Sequence, residues 1–136
     1  EMCIRDSIFG WYLKKIGSIS IKRNKIAKDN LDFFGNISEK LMNSKRPLII
    51  FPQGTRVPPD ERPPFKKGVS RIYEELKIIC QPVAINSGYV WPKRGHKNSQ
   101  RTITISILKK IHPGKTKDEF LKNLENSIYA ELDLLG

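Results

Sequence analysis

The sequence has little of three features that would have indicated particular classes of protein. It contains two cysteines, Cys3 and Cys80, too few for a disulfide framework or a four-ligand zinc site, so a reducing, cytoplasmic setting is expected. No stretch approaches the roughly 18 apolar residues of a membrane-spanning helix. Acidic residues are scarce, with 14 Asp and Glu against 25 Lys and Arg. At 136 residues, the chain is expected to form one domain, or part of one.

The excess of basic residues predicts an anionic partner. The net charge of +11 and the pI near 9.8 suit a phosphorylated substrate, an anionic membrane surface or a nucleic acid. Residues 1–115 carry 23 Lys and Arg against 9 Asp and Glu, a balance of +14, whereas residues 116–136 carry 2 against 5, a balance of −3. The basic surface is therefore predicted to lie on the body of the domain and not on its C-terminal segment.

Hydrophobic periodicity predicts that helices and strands alternate along the chain. The predicted helices cover residues 8–16, 29–44, 68–76 and 116–135; the predicted strands cover 19–21, 47–51, 81–86 and 102–108; loops are predicted at 57–66 and 87–100. The last helix opens on Thr116 and Glu119, spaced as a capping box. Ile103, Ile105 and Ile107 alternate with polar residues and predict one buried face. The order of the elements predicts the α/β class, with a mixed sheet and helices on its faces.

Polar and basic residues follow three of the predicted strands, at residues 22–23, 53–56 and 86–88. Ligands of open α/β sheets bind beyond the carboxyl ends of the strands. Gly54 lets a ligand approach the backbone, the Thr55 hydroxyl can donate a hydrogen bond, and the Arg56 guanidinium matches a phosphate bidentately. On spacing alone, an anion site and an ordinary turn with solvated arginines are equally consistent with this pattern.

A family resemblance favours the anion site. FPQGTR at residues 51–56 resembles the FPEGTR block of the glycerolipid acyltransferases, specifically the 1-acylglycerol-3-phosphate O-acyltransferases. Three other segments are similar to further blocks of that family and occur in the same order: GSISIKR at 17–23, FKKG at 65–68 and QPVAINSG at 81–88. The likeness spans about residues 8–112, and four ordered blocks are far more specific than one.

The resemblance implies a function and a set of site residues. It implies transfer of an acyl chain from acyl-carrier protein or acyl-CoA to 1-acylglycerol 3-phosphate (lysophosphatidic acid), giving phosphatidic acid at the cytoplasmic face of a membrane to which the protein binds peripherally. No metal or bound cofactor is implied, because the acyl donor is a co-substrate. The acceptor phosphate is expected at Arg23, Gly54, Thr55 and Arg56; further substrate contacts are expected at Lys22, Gln53, Lys66, Pro82 and Val83. Pro82 and Val83 are equally consistent with a plain buried strand.

Two departures from the family pattern bear on activity. Gln53 stands where the family usually has glutamate, so no acid–base role is expected there. The family also has an H-x-x-x-x-D block, in which histidine takes the proton of the attacking hydroxyl and aspartate orients the imidazole. His96 and His112 are instead followed five residues later by Arg101 and Lys117. Because this block is missing, we expect residues 8–136 to be the C-terminal portion of the domain and this fragment to be inactive. Residues 1–7 fit no pattern downstream, and we expect them to be a non-native leader.

Three alternatives remain open from the sequence. The acceptor could be glycerol 3-phosphate or a precursor of lipid A or an ornithine lipid. The protein could instead bind phosphate or membranes without catalysis. A nucleic-acid-binding module is disfavoured, because such surfaces interleave aromatic with basic residues. The candidate aromatic residues lie at core-like positions of predicted helices: Trp11, Tyr12, Phe33 and Phe34.

Overall fold

The computed structural model describes residues 8–17, 29–44, 46–92 and 95–135. The chain divides into two compact units, Glu1–Pro47 and Leu48–Gly136. The first unit contains helix α1 at Ile8–Lys15 and helix α2 at Asp29–Ser44, both of which were predicted. The predicted strand at residues 19–21 lies outside the described residues. The separation of residues 1–7 from residues 8–136 stays a prediction.

The second unit combines three helices with a two-stranded antiparallel sheet. In chain order its elements are α3 at Gly68–Leu76, β1 at Val83–Ile85, α4 at Ser87–Val90, β2 at Ile105–Ile107 and α5 at Lys117–Leu135. Val83 pairs with Ile107, and Ile85 pairs with Ile105. Beyond the strands, Cys80 and Ile111 form an isolated antiparallel bridge that is one residue out of the register of β1 and β2. The α/β class is thus confirmed in its coarse form.

The core of the second unit lies where α3 and α5 pack around β1. Helix α5 presents Phe120, Leu124 and Ile128 at spacings of four residues, so these side chains share one stripe and all are buried. Phe120 is completely buried and stacks on Tyr73 of α3, with ring centroids 3.8 Å apart. Ala84, at the centre of β1, is also completely buried in this cluster.

Capping explains where α5 begins. The Glu119 backbone N–H donates to Thr116 Oγ1 at 3.4 Å, and the Thr116 backbone N–H donates to Glu119 Oε2 at 3.2 Å. This reciprocal pair satisfies backbone donors that the first helical turn leaves unpaired. The predicted capping box is confirmed.

The extent of the predicted strands was wrong. Residues 46–51 form no strand with any part of the chain that the structure describes, and Ile49 and Phe51 are 75% and 78% exposed. A strand exists only where a neighbour takes up its backbone hydrogen bonds, and sequence alternation alone supplies no neighbour. The sheet among the described residues is accordingly antiparallel and not mixed, β1 and β2 have three residues each, and part of the predicted polar loop at 87–100 forms α4.

The predicted buried face of the isoleucine strand was also wrong. Ile103, Ile105 and Ile107 are 43%, 62% and 73% exposed. Directly paired residues of an antiparallel sheet share a face, so Ile105 and Ile107 lie on the side of Val83 and Ile85, opposite the buried Ala84. The alternation identified which residues share a face, but the packing of α5 decided which face is covered.

Candidate functional site

The FPQGTR segment forms a tight turn that exposes its last three residues. The Gly54 backbone N–H donates to the Phe51 carbonyl at 3.0 Å, and Gly54 has a φ of +70°, a conformation in which glycine is unstrained. Gly54, Thr55 and Arg56 are all exposed to solvent. The turn therefore presents a backbone without a side chain, a hydroxyl and a guanidinium to solvent, as an anion site requires.

A second motif lies directly beside this turn. The Lys66 backbone N–H donates to the Pro52 carbonyl at 2.8 Å, which joins the FKKG segment to the FPQGTR segment. A Cβ atom placed on Gly54 would lie 3.3 Å from Lys66 Cγ, so the lysine side chain runs along the glycine. An added Cβ would therefore require the Lys66 side chain to shift by a few tenths of an ångström. The structure thus brings together two sequence-predicted site residues, Gly54 and Lys66, from separate blocks.

The start of α3 adds to the positive potential of this region. Lys66 and Lys67 immediately precede Gly68, the first residue of the helix, and the first turn contains no acidic residue. A helix N-terminus carries a partial positive charge from its aligned peptide dipoles. Among the residues described, neither Arg56 nor Lys66 forms an ion pair. We call the turn at 53–56 together with Lys66 the anion-site loop.

Gln53 points away from the exposed side of this loop. Its Nε2 donates to the Tyr129 hydroxyl of α5 at 3.4 Å, and the same hydroxyl donates to the Pro63 carbonyl. Gln53 therefore connects the anion-site loop to the helix beneath it. A direct contact between Gln53 and substrate stays a prediction.

Tyr129 is a supporting residue that the sequence analysis missed. Its ring meets Phe65 edge to face, with centroids 4.9 Å apart, and the Arg62 guanidinium lies 5.6 Å from its centroid. Arg62 also pairs with Asp133, one helical turn further along α5, at 2.7 Å. Burial is the main cause that raises the pKa of Tyr129 above its ordinary value. Three smaller effects follow in decreasing order: the hydrogen bond with Gln53 lowers this pKa, the charge of Glu125 raises it and the charge of Arg62 lowers it. The only sequence signal was a tyrosine at the edge of the apolar stripe of α5.

The polar group after β1 has a structural role. Asn86 Oδ1 accepts a hydrogen bond from the Thr104 backbone N–H at 2.7 Å, and its Nδ2 donates to the Leu135 carbonyl at 3.3 Å. Gly88 packs against Pro59, where an added Cβ would lie 3.4 Å from the proline ring. Asn86 thus joins the residue before β2 to the end of α5. It is not a free group at a strand exit.

The remaining predicted site residues are distributed as follows. Lys22 and Arg23 lie outside the described residues, so a pocket formed jointly by Arg23 and Arg56 stays a prediction. Pro82 is buried, and its carbonyl accepts from the Leu108 N–H at 3.0 Å, whereas the Val83 side chain is 41% exposed. Their role in substrate binding also stays a prediction.

Neither histidine is arranged as a catalytic pair with the residue five positions later. His96 and His112 are both exposed. Arg101 stacks over the Tyr89 ring at 5.0 Å, and Lys117 forms an ion pair with Glu74 at 2.5 Å. Arginine and lysine cannot replace the aspartate of a His–Asp pair, so the sequence alone already excludes both pairs from that role.

Comparison with known proteins places the chain in a family. The sequence profile of the Acyltransferase family matches residues 1–86, a span that includes the anion-site loop. The chain belongs to this family, as the sequence blocks predicted. No helix among the described residues is both long enough and apolar enough to cross a membrane.

Individual relatives carry a more specific name. Proteins named 1-acyl-sn-glycerol-3-phosphate acyltransferase are similar to this chain in three distant organisms. The one from Saccharomyces cerevisiae is 31% identical over 135 residues, covering 93% of this chain and 44% of the relative. The one from Pseudomonas aeruginosa is 29% identical over 104 residues, covering 76% and 40%, and the one from Streptococcus pneumoniae is 29% identical over 135 residues, covering 96% and 47%. The chain spans about half the length of these relatives, and no solved structure matches it.

Proposed function

We propose that the protein is an O-acyltransferase chain that binds 1-acylglycerol 3-phosphate, the acceptor that is acylated to phosphatidic acid in phospholipid synthesis. Two kinds of observation support the proposal. The chain belongs to the Acyltransferase family, and its relatives are named for this acceptor. We further propose that the described elements are part of a glycerolipid-acyltransferase fold.

The observation that carries the proposal is the geometry of the anion-site loop. Gly54 and Lys66 come from different sequence blocks yet are in contact, and Thr55 and Arg56 are exposed next to Gly54. A phosphate monoester needs several donors converging from different directions, including charged ones. A hydroxyl, a guanidinium and an ammonium are available here, and Arg23 is proposed as a second guanidinium.

The chemistry of acyl transfer defines what this chain lacks. The free hydroxyl of the acceptor attacks the thioester carbonyl of acyl-carrier protein or acyl-CoA, its proton passes to a general base, and the thiol leaves. Loss of such a base typically lowers the rate of the catalysed reaction by about 10²–10⁴-fold. Because the 136-residue sequence contains no H-x-x-x-x-D block, we propose that this fragment binds the acceptor without turning it over.

A second candidate function follows from the same absence: the fragment acts as a lipid-phosphate or membrane-binding protein without catalysis. Both candidates place the protein peripherally at an anionic membrane surface, where the acceptor lipid resides. They differ in whether the acyl donor has any effect. An acyltransferase should bind a thioester donor as well as lysophosphatidic acid, whereas a lipid-phosphate-binding protein should bind only the lipid.

The first experiment measures binding of a short-chain lysophosphatidic acid by titration calorimetry. Arg56→Ala should weaken binding by about 10-fold or more, because a charge-assisted hydrogen bond is worth roughly 1.5–3 kcal/mol. Arg56→Lys should restore part of this loss, since an ammonium cannot make the forked contact. Arg71→Ala, which removes an exposed arginine of α3, is the matched control and should leave binding unchanged. Equal binding of the corresponding monoacylglycerol, which has no phosphate, would overturn the assignment.

The second experiment supplies a thioester donor together with lysophosphatidic acid and measures phosphatidic acid. We expect no turnover above the background without protein. Turnover at a rate typical of a complete enzyme would contradict the proposed inactivity and would require another general base. Binding of a non-hydrolysable donor analogue by the same chain would separate the acyltransferase proposal from the non-catalytic one.

A further inference from the structure

A basic groove lies in the second unit, away from the anion-site loop. It runs between residues 109–115 and the polar side of α5, has a volume of about 740 Å³, is open to solvent and shares no residue with the anion-site loop. The residues that determine its chemistry are Lys109, Lys110, His112, Lys115, Asn123 and Asn126. We call this feature the basic groove.

Hydrogen bonds to the core hold the wall of the basic groove in place. Cys80 and Ile111 exchange two backbone hydrogen bonds of 2.9 Å, so the chain next to Lys110 is fixed to the segment that leads into β1. The buried Tyr73 hydroxyl donates to the His112 carbonyl at 2.5 Å and accepts from the Lys115 N–H at 3.4 Å. The backbone that carries the lysines is therefore preformed.

The charge of the groove is available to a ligand. No acidic residue lines it among the residues that the structure describes. Lys109 and Lys110 form no ion pair within this part of the chain, whereas nearby Lys117 is already paired with Glu74 at 2.5 Å. Lys115 is partly engaged, because its charge contributes to lowering the pKa of Glu119. The groove thus has two unpaired ammonium groups and a third that is partly compensated.

The opposite wall supplies neutral polar groups. Asn123 and Asn126 lie three residues apart on α5, so both side chains are on one helical face. An amide side chain can donate to a carboxylate and accept from a peptide N–H. This combination of ammonium donors with amide donors and acceptors suits a polypeptide that carries carboxylates.

Shape and composition discriminate between the anionic classes of ligand. A volume of about 740 Å³ is within the range of sites that hold a sizeable ligand and is far more than a single phosphate needs. Single-stranded nucleic acids are bound by grooves that add stacking aromatic rings, and the lining of this groove contains none among the described residues.

We propose that the basic groove binds an acidic segment of a partner protein. The carboxylates of the segment pair with Lys109 and Lys110, and its backbone contacts Asn123 and Asn126. This site is separate from the anion-site loop, so its occupancy does not depend on the proposed binding of a lipid phosphate.

The test uses the full chain and fluorescence anisotropy of a labelled poly-L-glutamate peptide at about 0.15 M salt, where surface charges are screened beyond roughly 8 Å. The double variant Lys109→Glu/Lys110→Glu should weaken binding by about 10-fold or more, since two attractive contacts become repulsive. The control Lys40→Glu/Arg71→Glu has the same change in net charge on exposed residues elsewhere and should weaken binding by less than about 3-fold. Asn126→Leu leaves the charge unchanged and should weaken binding measurably. Circular dichroism checks that each variant is folded.

Two kinds of result would overturn the proposal. No binding of the peptide by the wild-type chain, or an equal loss in the groove variant and the control, would show that no acidic segment is held there. Tighter groove-dependent binding of a labelled oligo-dT or of phosphatidylglycerol vesicles would assign the groove to a nucleic acid or to a membrane.

Binding of lysophosphatidic acid by the Lys109→Glu/Lys110→Glu variant should equal that of the wild type. This control separates failure of the proposal for the basic groove from failure of the proposed function.

Discussion

The side-chain amide of Gln53 donates a hydrogen bond to the Tyr129 hydroxyl at 3.4 Å and so connects the anion-site loop with helix α5. The two residues are 76 positions apart in the sequence. The tyrosine hydroxyl also donates to the Pro63 carbonyl, in the proline-rich segment between the two sequence blocks of the loop. One hydroxyl therefore holds the turn and the segment that follows it.

Removal of this hydroxyl should lower stability. In Tyr129→Phe the Pro63 carbonyl and the Gln53 amide both lose a partner, so we expect the free energy of unfolding to fall by about 1–2 kcal/mol. Urea denaturation measures the change. Tyr89→Phe is the matched control, because its hydroxyl bonds to the exposed Asp60 carboxylate, which water can solvate, and its cost should stay below about 0.5 kcal/mol. Equal costs for the two variants would contradict the supporting role of Tyr129.

Stability should fall at alkaline pH because of the same residue. Burial raises the pKa of Tyr129 in the folded state above its ordinary value near 10. The folded state therefore holds the phenolic proton more tightly than the unfolded state. The resulting stabilisation is fully present below about pH 10 and is lost as the pH rises through the folded pKa. Urea denaturation at a series of pH values should show this loss in the wild type and a shallower decline in Tyr129→Phe. Parallel curves would be inconsistent with the raised pKa.

The capping box of α5 should contribute measurable, acid-sensitive stability. Thr116→Ala removes the N-cap side chain and should cost about 1 kcal/mol. Hydrogen bonds from the Thr116 backbone and hydroxyl, in that order, are the main causes that lower the pKa of Glu119. Ionised Glu119 thus stabilises the folded state at pH values above its ordinary pKa. This stabilisation is lost as the pH falls through the lowered pKa of the folded state. Denaturation between pH 7 and pH 3 should show the wild type losing more stability than Thr116→Ala. Ser127→Ala, in the middle of α5, is the control and should cost little.

The stacked pair of Phe120 and Tyr73 should dominate the stability of the second unit. Phe120 is completely buried, so Phe120→Ala should lower the free energy of unfolding by about 3–5 kcal/mol through lost burial and the cavity it leaves. Leu134→Ala, on the same helix but 82% exposed, should change it by less than about 0.5 kcal/mol. Thermal unfolding followed by circular dichroism distinguishes the two. A large effect of Leu134→Ala would mean that this end of α5 is covered in solution.

Attachment to membranes should depend on charge. Basic residues near an anionic surface contribute on the order of 1 kcal/mol each, and the attraction falls off within a Debye length. We expect the chain to co-sediment with phosphatidylglycerol vesicles, to bind little to phosphatidylcholine vesicles, and to be released as salt rises from about 0.1 M toward 1 M. Equal, salt-insensitive binding to both kinds of vesicle would show that an apolar stretch, such as Ile8–Lys15, is the anchor.

Local signals in the sequence were sufficient to predict where the helices lie. The ranges predicted for α2 and α3 coincide with the observed ones, and α5 begins directly after its capping threonine. Such signals work because caps and apolar periodicity act within a few residues. The strands were predicted less well, since the length of a strand depends on its neighbours. The segment at 46–51 and the exposed face of Ile105 and Ile107 show this most clearly.

The residue types of the candidate site were likewise visible in the sequence, and their arrangement was not. Sequence alone determined the family, the residues Gln53 to Arg56 and Lys66 as candidates, and the absence of a His–Asp pair from the chain, because these depend on residue identity and short-range order. Only the tertiary structure decided that Lys66 lies along Gly54, that Gln53 turns inward to Tyr129, and that Asn86 bonds within the fold. These contacts join residues 12 to 76 positions apart. Which distant groups meet is determined by how α3 and α5 pack on the strands, and no local pattern encodes that packing.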